Sequence, residues 1–190
     1  NMANFERQMD TYIGQKGIEK TIIEIIFPFM ERVGILWITN HINPAQEHLA
    51  TNVIRQKIIL GIEKLPPVLN YSKRIVLFMP EGEYHEIGLL YVHFLLKQRG
   101  FYIDYLGANV PMIDLRYLSE FHKVDYLYCH LTSPAKNFKI HKFFDQLSEV
   151  SKIIPIVISG QLAQAYKGQI AGNIQLKRTL AETISFLESI

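Results

Sequence analysis

The densest chemistry in this chain lies in six consecutive residues, Glu83-Tyr84-His85-Glu86-Ile87-Gly88. A carboxylate two positions before an imidazole can accept one ring N–H, fixing the tautomer so that the other nitrogen can face a metal. The same residues also suit a plainer role, an imidazole at a helix start held by Glu83 or Glu86, and both readings stand at this point. Zinc does not suit the pattern, because second and third ligands do not follow at the spacing it requires. A metal already held by the four equatorial nitrogens of a macrocycle needs only one axial ligand, and one histidine then suffices.

The elements that must position this loop come in two textures. Short β-rich runs at 75–79, 102–106, 126–131 and 154–158 alternate with helical stretches at 86–99, 112–122 and 136–150. This alternation predicts a parallel sheet with right-handed crossovers, completed by a fifth strand near 172–175 and a closing helix at 177–189. The class is α/β, a flavodoxin-like (Rossmann-like) five-stranded sheet. Ligands in such sheets bind outside the carboxyl ends of the strands, here the loops 80–88, 107–111, 130–135 and 159–161. The usual phosphate loops, G-x-G-x-x-G and G-K-S/T, are absent from the sequence.

Before residue 66 the pattern is helical. Ile18, Ile22, Ile25, Ile26, Phe29 and Val33 share one face, with Pro28 expected to kink the run. Ala50, Ile54, Ile58, Ile62 and Leu65 form a second stripe, opened by the Asn43-Pro44 start signal. A weaker helix over 3–13 closes at Gly14 and Gly17, and a segment around Leu36–Asn40 would supply the fourth member of an N-terminal four-helix bundle. Pro66-Pro67 marks the junction, so the expected division is a bundle over 1–66, a linker at 67–72 and the sheet domain over 73–190.

Composition restricts the setting. The 190 residues are 48% apolar, with 20 Lys+Arg against 18 Asp+Glu, so the chain is neither a disordered tail nor a cationic nucleic-acid surface. The sequence shows no membrane-spanning apolar run and no signal peptide. Its single cysteine, Cys129, cannot form an internal disulfide, which points to a reducing cytoplasm.

Glu83 through Gly88 resembles the D/E-x-H-x-x-G motif of cobalamin-binding domains, whose histidine replaces the vitamin's own base beneath cobalt. The family continues with S-x-L after 41 residues and a glycine pair further on. Here 89–129 lead to His130-Leu131-Thr132, and 133–159 lead to Gly160-Gln161. The spacings fit, while His130 and Gln161 stand in place of a serine and a glycine, where a larger side chain narrows the slot for the nucleotide tail. Trp37, nine residues and then Glu47-His48 resemble the W-x9-E-H arrangement of the adenosylcobalamin-dependent, light-sensing MerR-type repressors.

That resemblance implies a corrin sandwiched between bundle and sheet. His85 would be the lower cobalt ligand, Glu83 its orienting acceptor, and Gly88 the point where the nucleotide tail nears the backbone. His130, Thr132 and Gly160 would line the tail slot. Trp37 would pack over the adenosyl group, Glu47 would hydrogen-bond it, and His48 would take the upper axial position after light breaks the cobalt–carbon bond. A homo-oligomer, dimer or tetramer, is implied, and so is DNA binding through a helix-turn-helix domain outside this sensor fragment.

Each residue also has a plainer reading. Trp37 suits a bundle core, Glu47 favours a helix start through the macrodipole, and His48 suits an exposed helix surface. A switch rather than an enzyme is expected. The alternatives are a degenerate, cobalamin-free regulatory or dimerisation module and a corrinoid methyl carrier.

Overall fold

The computed structural model describes residues 2–39, 41–69, 71–134, 137–150 and 152–190, with Trp37 and Ile38 described through their backbone only. The chain divides into two compact units, the first ending at Lys64 and the second running from Leu65 to Ile190.

The first unit is all helical. Helix α1 (Met2–Lys16) passes through Gly14 and ends at Gly17, whose φ of 82° only glycine adopts without strain. The chain then runs from α2 (Ile18–Thr21) through a π turn (Ile22–Ile26) into α3 (Phe27–Ile38). Pro28 brings no N–H to this run. Just before it the ladder shifts register, with the Phe27 N–H bonding back five residues to the Ile22 carbonyl, so that a π turn precedes the proline where the sequence predicts a kink. The fourth helical segment is the short α2, because Leu36 belongs to the last turn of α3 instead of founding a helix, and Asn40 lies outside the described residues.

Helix α4 (Pro44–Glu63) starts where Asn43-Pro44 predicts. The Asn43 Oδ1 accepts from the Ala45 N–H at 2.8 Å, and the Gln46 side chain returns to the Asn43 N–H at 3.2 Å. Met9, Ile22, Ile26, Val33, Ala50, Ile54, Ile58 and Ile62 are buried and form this unit's core. Lys57 reaches from α4 to Glu6 at 3.0 Å and Asp10 at 2.7 Å on α1.

The second unit is a five-stranded parallel sheet in the order β2-β1-β3-β4-β5. In chain order it comprises β1 (Arg74–Pro80), α5 (Ile87–Gln98), β2 (Tyr102–Val110), α6 (Met112–Phe121), β3 (Tyr126–His130), α7 (Ile140–Val150), β4 (Ile156–Ser159), α8 (Gln161–Ala165), β5 (Ile174–Leu176) and α9 (Leu180–Ser189). This is the flavodoxin-like order that the alternation of strands and helices predicts. The short α8 carries no helical period long enough to read. Central β1 is buried from Ile75 to Pro80, as a strand covered on both faces must be.

One side of the sheet packs Val76, Phe78, Leu127, Cys129, Ile156 and Ile158 against Leu115, Phe143, Phe144 and Leu147. Two register shifts in the β1–β2 pair occur where β2 contains Gly107 (φ 77°) and Asn109 (φ 57°). They fall beside the loop that carries Glu83. Among the described residues no helix is long and apolar enough to cross a membrane.

The α4 cap yields a local test. Asn43→Ala should cost about 1 kcal/mol of stability in urea unfolding, whereas Asn43→Ser should stay near the parent.

Candidate functional site

Glu83 is fully buried at the carboxyl end of β1. Its Oε1 accepts from the Tyr84 N–H at 2.9 Å, the His85 N–H at 3.0 Å and the His85 ring Nδ1–H at 2.6 Å. Its Oε2 accepts from the backbone N–H groups of Thr132 and Ser133, each at 2.8 Å. Burial pushes this carboxyl group up, but the His85 ring and the His85 and Thr132 backbone bonds outweigh it and hold the pKa down to about 2. Glu83 is therefore an ionised anchor at neutral pH.

The histidine it holds is more than half exposed, at 54% of its side chain. With Nδ1 committed to Glu83, any coordination to a metal runs through Nε2. Of the two carboxylates flanking His85 in sequence, Glu86 accepts instead from the Tyr105 hydroxyl at 3.1 Å. Backbone further braces the loop. The Gly82 N–H donates to Asn109 Oδ1 at 3.0 Å, and the Asn109 N–H returns to the Glu83 carbonyl at 3.2 Å. Asn109 holds the left-handed conformation that Asn tolerates better than most residues. Nothing in the spacing announced Asn109, because its partner lies across the strand pair.

His130 lies half-buried at the end of β3, beside the neighbouring loop. Its imidazole rests directly on Gly88, near the start of α5, where a Cβ would collide with the ring's Nε2, Cε1 and Cδ2. On its other side, Nδ1 lies 2.8 Å from the Ser159 hydroxyl, which accepts from the Tyr128 hydroxyl at 2.8 Å. Since Ser159 receives that proton, its own is free to go to His130 Nδ1, and the neutral ring then carries its proton on Nε2. Burial pulls the His130 pKa down to about 4, and burial raises Tyr128 to about 12.

Gly160 packs against the Leu131 backbone at φ 100°, so a side chain there meets both a clash and a forbidden conformation. Gln161 opens α8 exposed to solvent and leaves any narrowing to His130. Ser159, Tyr128 and Ser133, like Asn109, are site residues that motif spacing passed over.

The other candidates lie in the helical unit. Glu47, in the first turn of α4, accepts from the Thr51 hydroxyl at 2.8 Å and lies 3.4 Å from His48 Nδ1. The His48 side chain is 74% exposed. That of Trp37 lies outside the described residues. The sheet unit thus brings Glu83, His85, Gly88, His130, Thr132 and Gly160 to one end of its strands, while Glu47 and His48 form a separate pair. One open depression of this unit, about 800 Å³, is lined by Tyr126, Lys177 and α9 residues and includes none of these candidates. Among the described residues no three His, Cys, Asp or Glu side chains converge as a metal cage.

A helical unit followed by a flavodoxin-like sheet is a fold that a corrinoid protein of known structure also has. Residues 2–60 match the family described as B12 binding domain. The chain is 32% identical over 91 residues to the HTH-type transcriptional repressor CarA of Myxococcus xanthus, covering 48% of this chain and 30% of that protein. It is 30% identical over 96 residues to the HTH-type transcriptional repressor CarH of the same organism, covering 50% and 31%. These matches thus span about a third of the relatives' length. In fold, the monomethylamine corrinoid protein of Methanosarcina barkeri aligns over 100% of this chain and 92% of its own with a TM-score of 0.76 at 16% identity. The resemblance to cobalamin-binding MerR-type regulators is borne out.

The residues present fit a corrin-held metal in one respect and oppose it in another. His85, oriented by a buried anion, suits an axial donor. Gly88, which would admit a tail against the backbone, is covered by His130.

Two tests follow from the geometry. Glu83→Gln places an amide against backbone donors that need an acceptor, and should lower unfolding free energy by about 3 kcal/mol. The folded-state pKa of His130 lies below its unfolded value of 6.5, so the unfolded chain takes up a proton that the folded chain refuses. The neutral ring's contribution is complete above pH 6.5 and is lost as pH falls toward 4. His130→Gln should flatten the stability profile across that window in urea unfolding.

Proposed function

We propose that this chain is the adenosylcobalamin-binding, light-responsive sensor and oligomerisation part of a MerR-type transcriptional regulator, with DNA contacts made by a domain beyond these residues. The observation that carries this reading is the buried Glu83 carboxylate fixing the exposed His85 ring, an arrangement suited to one axial bond from the protein. The family match over the helical unit and the similarity to two named HTH-type repressors support the regulatory side.

His85 Nε2 would hold the metal from below, with Glu83 keeping the ring's tautomer and orientation. Trp37, Glu47 and His48 would serve the upper face and the adenosyl group. When bound, the cofactor supplies a cobalt–carbon bond that light breaks. The protein's part is to hold one arrangement of its helices with the adenosyl group present and another without it. The shift is limited by the ligand's differential affinity for those two arrangements. Oligomers in the dark, dimeric or tetrameric, would fall apart in light. No catalytic turnover is involved.

His130 over Gly88 favours a second reading, a cobalamin-free regulatory module that keeps the fold. A third, methyl carriage, has only fold likeness behind it.

The deciding measurement is an absorbance spectrum after incubation with excess adenosylcobalamin in the dark, followed by desalting and illumination. The expected result is a retained corrin spectrum that changes with light, with retention at least tenfold weaker in His85→Ala and Trp37→Ala. A colourless wild type with no gain in thermal stability would favour the cobalamin-free module.

A further inference from the structure

We propose that His130 is a plug over Gly88 that makes this chain prefer corrinoids lacking the nucleotide tail, the cobinamide class, over complete cobalamins. The inference rests on the corrinoid reading and adds to it the ligand class. A corrinoid ligated through His85 has its own lower base displaced, and the phosphate-bearing chain leading to that base must pass beside the ligating residue. Three positions after His85, Gly88 is the residue whose missing side chain would open such a path. The imidazole of His130 already fills that volume, with Nε2, Cε1 and Cδ2 inside the space a Cβ on Gly88 would need.

The ring is held there from behind. Ser159, itself buried, bonds Nδ1 at 2.8 Å and is bonded in turn by the fully buried Tyr128 at 2.8 Å. To admit a tail, His130 must leave this bond and uncover a buried hydroxyl, a cost of about tenfold in affinity or more. A corrinoid without the tail makes no such demand. Burial keeps the ring neutral at physiological pH, which suits it to packing against backbone. A serine at 130 would leave the Gly88 surface open, because its side chain ends one atom beyond Cβ.

The test is a dark absorbance titration of the folded chain with adenosylcobinamide and, separately, adenosylcobalamin, together with the thermal-unfolding shift each produces at saturation. Wild type should bind the cobinamide at least tenfold more tightly. His130→Ser should tighten cobalamin about tenfold and change cobinamide little. Should His130→Ser fail to fold, His130→Asn serves, being shorter yet able to bond Ser159, and should move the ratio the same way. Equal affinities in wild type, or a ratio that neither variant moves, would overturn the inference and leave the corrinoid reading standing. Failure of folded wild type and variants to bind either compound would overturn the corrinoid reading, and the inference with it.

Discussion

One buried carboxylate organises the functional end of the sheet unit. Removing an ionised carboxylate from water costs several kcal/mol even after relaxation, and only donors aimed at both oxygens offset it. Glu83 receives them from two segments distant in sequence, its own loop at Tyr84 and His85 and the β3–α7 loop at Thr132 and Ser133. It therefore ties the carboxyl ends of β1 and β3 together and sets the His85 ring in the same act. Gly82 and Asn109, both at positive φ, are held where they are because their bonds complete this loop.

Sequence periodicity carried most of the architecture. Alternating apolar runs and helical stretches define the strand–helix order because a sheet buried on both faces leaves little freedom in composition. Asn43-Pro44 marked the start of α4, since capping is a contact between near neighbours. Pro28 predicts a kink because proline removes a donor, but nothing in the spacing announces that the turn before it widens to π geometry. That adjustment depends on how Ile22 and Ile26 settle into the bundle core, which no local rule contains. The loop histidine and its glycine were legible in the same way, from spacing. What spacing could not give is the reach of Glu83 to residues 132 and 133, or the brace from Asn109, because both depend on which strands become neighbours.

The two units differ in how finished their chemistry is. In the sheet unit Glu83, Glu86 and Asn109 around His85 are each held by a specific partner, so their geometry is set before any ligand arrives. Such preorganisation lowers the cost of binding, since little side-chain freedom remains to be lost. In the helical unit His48 is exposed on α4 beside a half-buried Glu47, whose partner is Thr51.

On the proposed reading, one residue, His130, changes the site's selectivity while its main donor stays intact. The ring lies beside the Glu83–His85 pair, but its hydrogen bond runs the other way, through Ser159 to Tyr128 and on toward Thr183 of α9. Its hold on Gly88 therefore depends on the interior of the sheet and not on the loop that carries His85. A small residue at 130 would leave Glu83, His85 and their backbone donors in place and change only what can lie against Gly88. On the proposed reading, ligation and tail recognition are separable in this chain, the first resting on a buried anion and the second on a packed imidazole. Selectivity can change at 130 without disturbing the carboxylate that holds the strand ends together.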